Sequence, residues 1–427
     1  MSRALLAFVA FISLQAISLA QAPSPAQNLV TRAVMLLENN YFGFKPIDFT
    51  QLERDAETRV AAACTTQTSC SLETGAAVLD ELLGTLGDGH TFRMNANRLR
   101  QFNADSRNDA LPMLGLKFDA LSDAPALVIT RVREDSPAAQ AGLKRGDVVW
   151  DVGERRLDSF KSATAATDFI TALELSNQPV KLLVSSFTDG TPVNASGTTF
   201  TPSSVQERPV TLTPQALTSW LPTYTLRDDG IAVITFYQYL TNGRIASRVH
   251  EFVRQAQSSN AKAIILDVRG SGGGSSFESL ASAGAFAEPV GVRFENRFGS
   301  GVNVYENGVI NSNFSIPNPA KWNKPVVVLT NRLSRSAAEY MTYFLQRAGR
   351  AKVLGEVTTG VLNTSTSILS LPDGGAIAVT SGRSSTLNGV PHPEAVTPDV
   401  AIKDDMSILA RGRDVVLERA VQFLNQP

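Results

Sequence analysis

The chain has 427 residues, 43% of them hydrophobic, and its 39 lysines and arginines nearly balance 40 aspartates and glutamates. At roughly 100–200 residues per domain, such a length predicts two or three domains with ample apolar material for their cores. Balanced charge leaves no field that would draw the chain to nucleic acid or to an anionic membrane surface, so neither is expected as a partner.

The first residues, MSRALLAFVAFISLQAISLAQAPSPA, place Arg3 before an apolar run from Ala4 to Ile12, with small residues at the exit. This predicts a secretory signal peptide over 1–22, cut after Ala20 or Ala22, the following Pro23 making the second site less favourable. A membrane anchor needs about 20 apolar residues and this run is shorter. No cysteine stands nearby to take a lipid. Export without a stable membrane anchor is therefore expected, with the bacterial periplasm as the compartment.

Helical spacing follows in LVTRAVMLLENNY, FTQLERDAETRVAAA and LETGAAVLDELLGTL, with Asp48 and Ser71 as helix starts, and predicts a helical domain over 23–108. The only two cysteines, Cys64 and Cys70, are separated by a polar loop. In an exported chain they read as one local disulfide, with free thiols as the alternative. A metal is not expected there, because no histidine or third cysteine is near. The domain ends in LGTLGDGHTF, where Gly84, Gly87 and Gly89 break the helix and leave Asp88 and His90 in a loop.

From Pro112 the pattern changes to short strand-like runs, LGLKF, ALVITRV, DVVWDVG and VKLLVSS, giving a second domain over 109–186. Between them EDSPAAQAGLKRGDVV, Glu134 to Val149, resembles a PDZ domain. The resemblance implies a β-barrel-like fold in which a short helix feeds a core strand through the Gly146-Asp147 turn. It also implies that Leu114, Gly115, Leu116 and Phe118 form a loop and strand that capture a peptide's C-terminus. The alternative is a domain of this type used only as a lid or packing block. A linker is expected over 187–224, where Thr, Ser, Gly and Pro dominate and periodicity is lost.

Strand-like and helix-like segments then alternate to the end, predicting an α/β layered domain over 225–427 and a multi-domain α/β chain overall. Two segments there bear chemistry. In AIILDVRGSGGGSSFESL a strand runs into a glycine turn and a helix, but Ser275 stands where a dinucleotide fingerprint needs its last glycine, and no Gly-Lys-Ser/Thr follows. Phosphate binding is set aside, and no cofactor is expected. In PVVVLTNRLSRSAAEYMTYF a strand runs into Ser334-Arg335-Ser336 and a helix, the geometry of a nucleophilic serine or, more simply, of a helix cap.

Together, Leu266-Asp267-Val268-Arg269-Gly270-Ser271-Gly272-Gly273-Gly274, Ser334 to Glu339, Gly355 to Gly360 and Thr397-Pro398-Asp399-Val400 resemble the tail-specific, or C-terminal processing, serine proteases. The order of helical, PDZ and α/β domains is that family's order. The resemblance implies a crotonase/ClpP-like catalytic domain with Ser336 as nucleophile. It also implies an oxyanion hole from the N–H groups of Ala337 and Gly273, which physics favours because rigid backbone donors stabilise charge that appears only in the tetrahedral intermediate.

Family members with a Ser-Lys dyad carry lysine where this chain has Val361, and Lys352 reads as a surface charge. Asp88-Gly89-His90-Thr91 instead resembles the Ser-His-Glu branch, which implies His90 as general base. Of the three histidines, His250 lies in a helical run and reads as a surface or packing residue. The third member is expected in LNGVPHPEAVTPDV, as Glu394 orienting His90, with His392 as the alternative and Ala395 in place of the family's glycine. The expectation is an exported serine endopeptidase acting on polypeptides, recognised by their C-termini through the PDZ domain. The alternatives are a catalytically weak or inactive peptide- or ligand-binding protein on the same fold, and a small-substrate esterase or amidase.

Overall fold

The computed structural model describes residues 22–64, 69–186, 206–311 and 314–426. The signal peptide expected over 1–22, apart from Ala22, and the 187–205 part of the expected linker lie outside them. Among the described residues no helix is long and apolar enough to cross a membrane.

Three helices open the fold, Pro25–Asn40, Phe49–Ala63 and Leu72–Gly84. Asp48 and Ser71 cap the second and third, their side chains accepting from the N–H groups of Gln51 and Thr74, which satisfies donors that a helix start leaves free. Cys64 and Cys70 form a disulfide between these two helices. The helices do not close on themselves. Leu29, Leu37, Leu79 and Leu82 share one core with Leu371, Ile377 and Val379 from the far end of the chain. Phe92–Met94 completes that junction by pairing antiparallel with the strand Ala376–Ser385, Phe92 opposite Ala378. The loop carrying His90 is therefore fixed to the C-terminal region on both sides.

The middle unit is a sheet of Leu116–Ala120, Leu127–Val132, Val148–Val152, Val180–Ser186 and Gln206–Leu212, with Ala166 and Ile170 of the helix Ala163–Leu175 sharing one core with Ile129, Val149, Leu182 and Val184. Gln206–Leu212 pairs with Val180–Ser186 along its whole length, so this part of the expected linker is a strand instead. Its polar composition and Pro209 concealed it, and both suit its place at the edge of the sheet, where a missing N–H is tolerated. A further strand, Gln215–Leu217, also falls inside 187–224, and another, Thr223–Leu226, begins there.

The last region is built on a six-stranded sheet in the order Thr223–Leu226, Ile231–Thr235, Ala263–Asp267, Val326–Thr330, Lys352–Gly355 and Val400–Ala401. All pairs but the first are parallel. Its two central strands are buried at every residue, which is why they read as unbroken apolar runs. Each large aliphatic side chain buried there contributes about 1.5–3 kcal/mol relative to exposure. Helices Arg244–Ser258, Ser276–Gly284 and Ala337–Arg347 cover one face, and Val415–Asn425 covers the other. Both central strands end, at their carboxyl termini, in the turns that carry Gly273 and Ser336.

Ion pairs fasten the middle unit to these strand ends. Arg131 meets Asp267 at 2.8 Å, Arg145 meets Asp414 at 2.7 Å and Arg332 meets Asp119 at 2.6 Å. Arg269, almost fully buried, adds Asp267, Asp404 and Asp414. Partners on every side are what allow such a charge to be buried at all.

Candidate active site

Ser336 links the buried strand Val326–Thr330 to the helix Ala337–Arg347, with φ 53 and ψ −113. The other non-glycine residues with positive φ among those described are all asparagines, whose side chains tolerate that region, whereas a serine there stores strain. The turn is held from several directions. Ser336 N–H donates to Glu339 Oε2 at 2.7 Å and Arg335 N–H to Ser271 O at 3.0 Å. Ser334 is spent on the same task, its Oγ donating to Val268 O and accepting from Asn331 N–H, each at 3.0 Å. Of the two serines, Ser336 is the one that lines the cleft.

Gly273 faces it. Its φ is 86, and a Cβ there would stand 2.7 Å from Ser336 Cβ and 3.2 Å from Ala337 N. Only glycine permits this approach. Ala337 is the first residue of its helix, so its N–H has no intrahelical partner. The glycine turn itself is pinned by Gly273 O, which accepts from Tyr239 N–H at 2.7 Å.

Glu339 holds the two turns of this region together. Its buried carboxylate accepts from Ser336 N–H, from Thr358 Oγ1 at 2.6 Å, from Gly360 N–H at 2.9 Å and from Val361 N–H at 3.2 Å. Burial raises its pKa and these donors oppose the rise. Its place three residues after Ser336 is the spacing of a capping box, a signal already present in the sequence.

His90 is buried and lines the same cleft, of about 600 Å³, as Ser336 and Gly273. Asp88 ties its loop by accepting from His90 N–H and Thr91 Oγ1, each at 3.0 Å, and Thr91 Oγ1 accepts from Thr380 N–H at 3.1 Å. The imidazole Nδ1 lies 2.8 Å from Thr364 Oγ1. With that hydroxyl accepting from Nδ1–H, the lone pair sits on Nε2. Burial, then the nearby Arg335 charge, pulls the pKa from its ordinary 6.5 down to about 3, so the ring is neutral. Arg335 donates to Gly89 O and lies over the Phe92 ring, 4.8 Å from its centroid.

The residues expected to orient His90 are elsewhere. Glu394 is exposed and pairs with Lys45 at 3.1 Å; its backbone O, accepting from Leu362 N–H at 2.9 Å, turns the side chain outward. His392 is buried among Tyr340, Tyr343 and Phe344, with Nδ1 3.1 Å from Ser384 Oγ, and burial lowers its pKa to about 4. Thr364 occupies the place instead, and nothing in the sequence pattern marks it. Val361 is buried, its Cγ1 3.4 Å from where a Gly89 side chain would begin. Lys352 pairs with Asp399 at the surface. His250 is fully buried, hydrogen-bonded to Ala281 O and Ala320 N–H.

In the middle unit Leu114 N–H is already engaged, donating to Glu174 Oε1 at 2.7 Å, and burial pushes that carboxyl up to about 7. Gly115 has φ 81, and a Cβ there would strike Ser136. Leu116 and Phe118 line a cavity of about 260 Å³ that opens against Arg269 and Asn331 of the last region.

The site is thus a strained serine turn facing a glycine turn at the carboxyl ends of a mainly parallel sheet in an α/β domain. Residues 230–402 match the model of peptidase family S41. It is 28% identical over 316 residues to the chloroplastic carboxyl-terminal-processing peptidase 3 of Arabidopsis thaliana, covering 71% of this chain and 55% of the relative. It is 24% identical over 200 residues to the carboxyl-terminal-processing protease of a Picosynechococcus species, covering 46% and 45%. The chain thus spans about half the length of the curated relatives it matches. Among solved structures, the photosystem II D1 C-terminal processing protease shares the fold with a TM-score of 0.52 at 20% identity, covering 88% of this chain and 93% of that one. Mature CPAF complexed with lactacystin gives 0.54 at 12% identity, covering 94% and 99%.

Proposed function

We propose that this chain is a serine peptidase that cleaves polypeptides through an acyl-enzyme on Ser336. The reading is carried by the approach of Gly273 to Ser336 and Ala337, a contact that brings two backbone turns around one hydroxyl. His90 Nε2 takes the Ser336 proton as Oγ attacks the scissile carbonyl, and the carbonyl oxygen becomes an anion facing the N–H groups of Ala337 and Gly273. On collapse the C–N bond breaks and the imidazolium gives its proton to the leaving amine. Water, deprotonated by the same imidazole, then releases the acyl group and restores Ser336. Thr364 fixes the ring and its tautomer but brings no charge to offset the imidazolium, so slower turnover than with a carboxylate is expected.

The middle unit fits the role of a PDZ domain that recognises peptide C-termini, and its place beside the catalytic strand ends supports binding and cleavage in one molecule. Export to the periplasm belongs to the same reading. A second reading, a protein that binds peptides without cutting them, is favoured by the uncharged partner of His90. A fluorophosphonate probe separates the two. The peptidase labels as wild type, fails to label as Ser336→Ala, and degrades an unfolded protein only with both Ser336 and His90 intact. Labelling that survives Ser336→Ala would sink the assignment of the nucleophile, and a labelled protein that degrades nothing would favour the binding protein.

A further inference from the structure

Arg335 has no established use in the chemistry above. Its guanidinium lines the cleft beside Ser336 and His90, one nitrogen donating to Gly89 O and one face lying on Phe92. Among the described residues no carboxylate stands within ion-pair distance of it. The two carboxylates that feel its charge are Glu339 and Asp88, and both are engaged. Glu339 receives Ser336 N–H, Thr358 Oγ1, Gly360 N–H and Val361 N–H, and Asp88 receives His90 N–H and Thr91 Oγ1. The other cations lining the cleft are matched. Arg98 pairs with Asp168 at 2.6 Å, and Lys117 lies in the fields of Asp105 and Glu174.

A partly buried guanidinium without a counterion is unfavourable, and it keeps most of its five donors open in a planar fork suited to a carboxylate. The mechanism gives this fork a side. His90 must protonate the leaving amine, so the leaving fragment lies against the imidazole, and Arg335 is bonded to the residue just before it.

We propose that Arg335 is a specificity-determining residue that receives a carboxylate on the leaving side of the scissile bond. Building on the peptidase reading, this names its substrate class: polypeptides with a carboxylate within one or two residues after the cut. The group is either an acidic side chain or the chain's own terminal carboxylate.

The test uses full-length protein and peptides built on a bond that the wild type cuts in an unfolded protein. One peptide is neutral after the cut with an amidated end, one has aspartate at the first leaving position with an amidated end, and one is neutral with a free carboxylate two residues after the cut. For the wild type, kcat/KM is expected to be about 10- to 100-fold higher for at least one carboxylate peptide than for the neutral one, the effect of a charge-assisted hydrogen bond. The arm that gains tells the two sources apart. Arg335→Gln should bring the ratio to within about twofold of one, and Arg335→Lys should retain part of it.

The ratio is the readout because an arginine that only braced the His90 loop would, when lost, slow all three peptides alike. A ratio near one in the wild type, or one preserved in Arg335→Gln, overturns the proposal while leaving the peptidase reading intact. Failure of the wild type to cut any unfolded protein, although Ser336 labels, ends both.

Discussion

Thr364 is the sharpest place to test how His90 is held. Its Oγ1 lies 2.8 Å from His90 Nδ1 in a buried setting. Thr364→Val keeps the branched shape and leaves the ring nitrogen without a partner, which costs about 1–3 kcal/mol in a folded interior. Because the contact also fixes ring and tautomer in the transition state, kcat/KM is expected to fall about 10- to 100-fold, at tenfold per 1.36 kcal/mol. Thr364→Asp acts in the opposite direction. Burial and then Arg335 bring the His90 pKa from 6.5 to about 3, so protonating the ring in the free cleft costs about 5 kcal/mol more than in water, at 1.36 kcal/mol per pKa unit.

In the proposed mechanism His90 works only when neutral, so wild-type kcat/KM should stay level through weakly acidic pH and fall only as pH drops towards about 3. A carboxylate at 364 favours the imidazolium. It should move that acid limb up by about 1–3 pH units and raise the rate at neutral pH. The assay is kcat/KM of a neutral peptide across the pH range in which circular dichroism shows each protein folded. A wild-type limb near pH 6.5, or a Thr364→Val enzyme as fast as wild type, refutes the arrangement.

Gly273→Ala places a methyl 2.7 Å from Ser336 Cβ at a φ of 86; fluorophosphonate labelling should slow by about 100-fold or more, the scale of losing an oxyanion donor, with the far-ultraviolet spectrum retained. Glu339→Gln keeps the volume but turns two donors towards the four that the carboxylate now accepts; urea unfolding should show a loss of about 2–4 kcal/mol, and labelling should fall with it. His392→Phe replaces a ring already caged by Tyr340, Tyr343 and Phe344. As pH falls from 6.5 to about 4 the unfolded chain takes a proton that the folded His392 refuses, so wild-type stability drops across that window. The phenylalanine variant should gain on wild type by up to about 3 kcal/mol between those pH values, and a constant difference would show that His392 does not titrate as its burial implies.

What could be read from the sequence was local. The strand, turn and helix around Ser336 lie within one short stretch, and the same holds for the glycine turn after Asp267 and for the Asp88-Gly89-His90-Thr91 loop. Contacts between distant segments left weaker traces. Gln206–Leu212 joins a sheet by edge pairing that needs no apolar alternation, so its composition read as a linker. The motif places Glu394 near the site in sequence, but the direction of its side chain depends on a backbone bond to Leu362 and a surface lysine, Lys45. Thr364 reaches His90 only because helices from one end of the chain and strands from the other share a core.

Val361 then acquires a meaning that the motif alone did not give it. Read by itself it is a missing lysine, and a missing base. In the fold its side chain packs against Gly89, one residue from His90, while Arg335 donates to the carbonyl of that same glycine. A lysine at 361 would bring a second cation into a loop whose imidazole is already depressed by one, pushing His90 further from protonation and crowding the backbone that carries it. Lysine and histidine are thus alternatives at this site, since each occupies ground the other needs. An apolar residue at 361 leaves the Gly89 backbone uncrowded and adds no charge beside His90, which is compatible with the proposed role of that imidazole as the base.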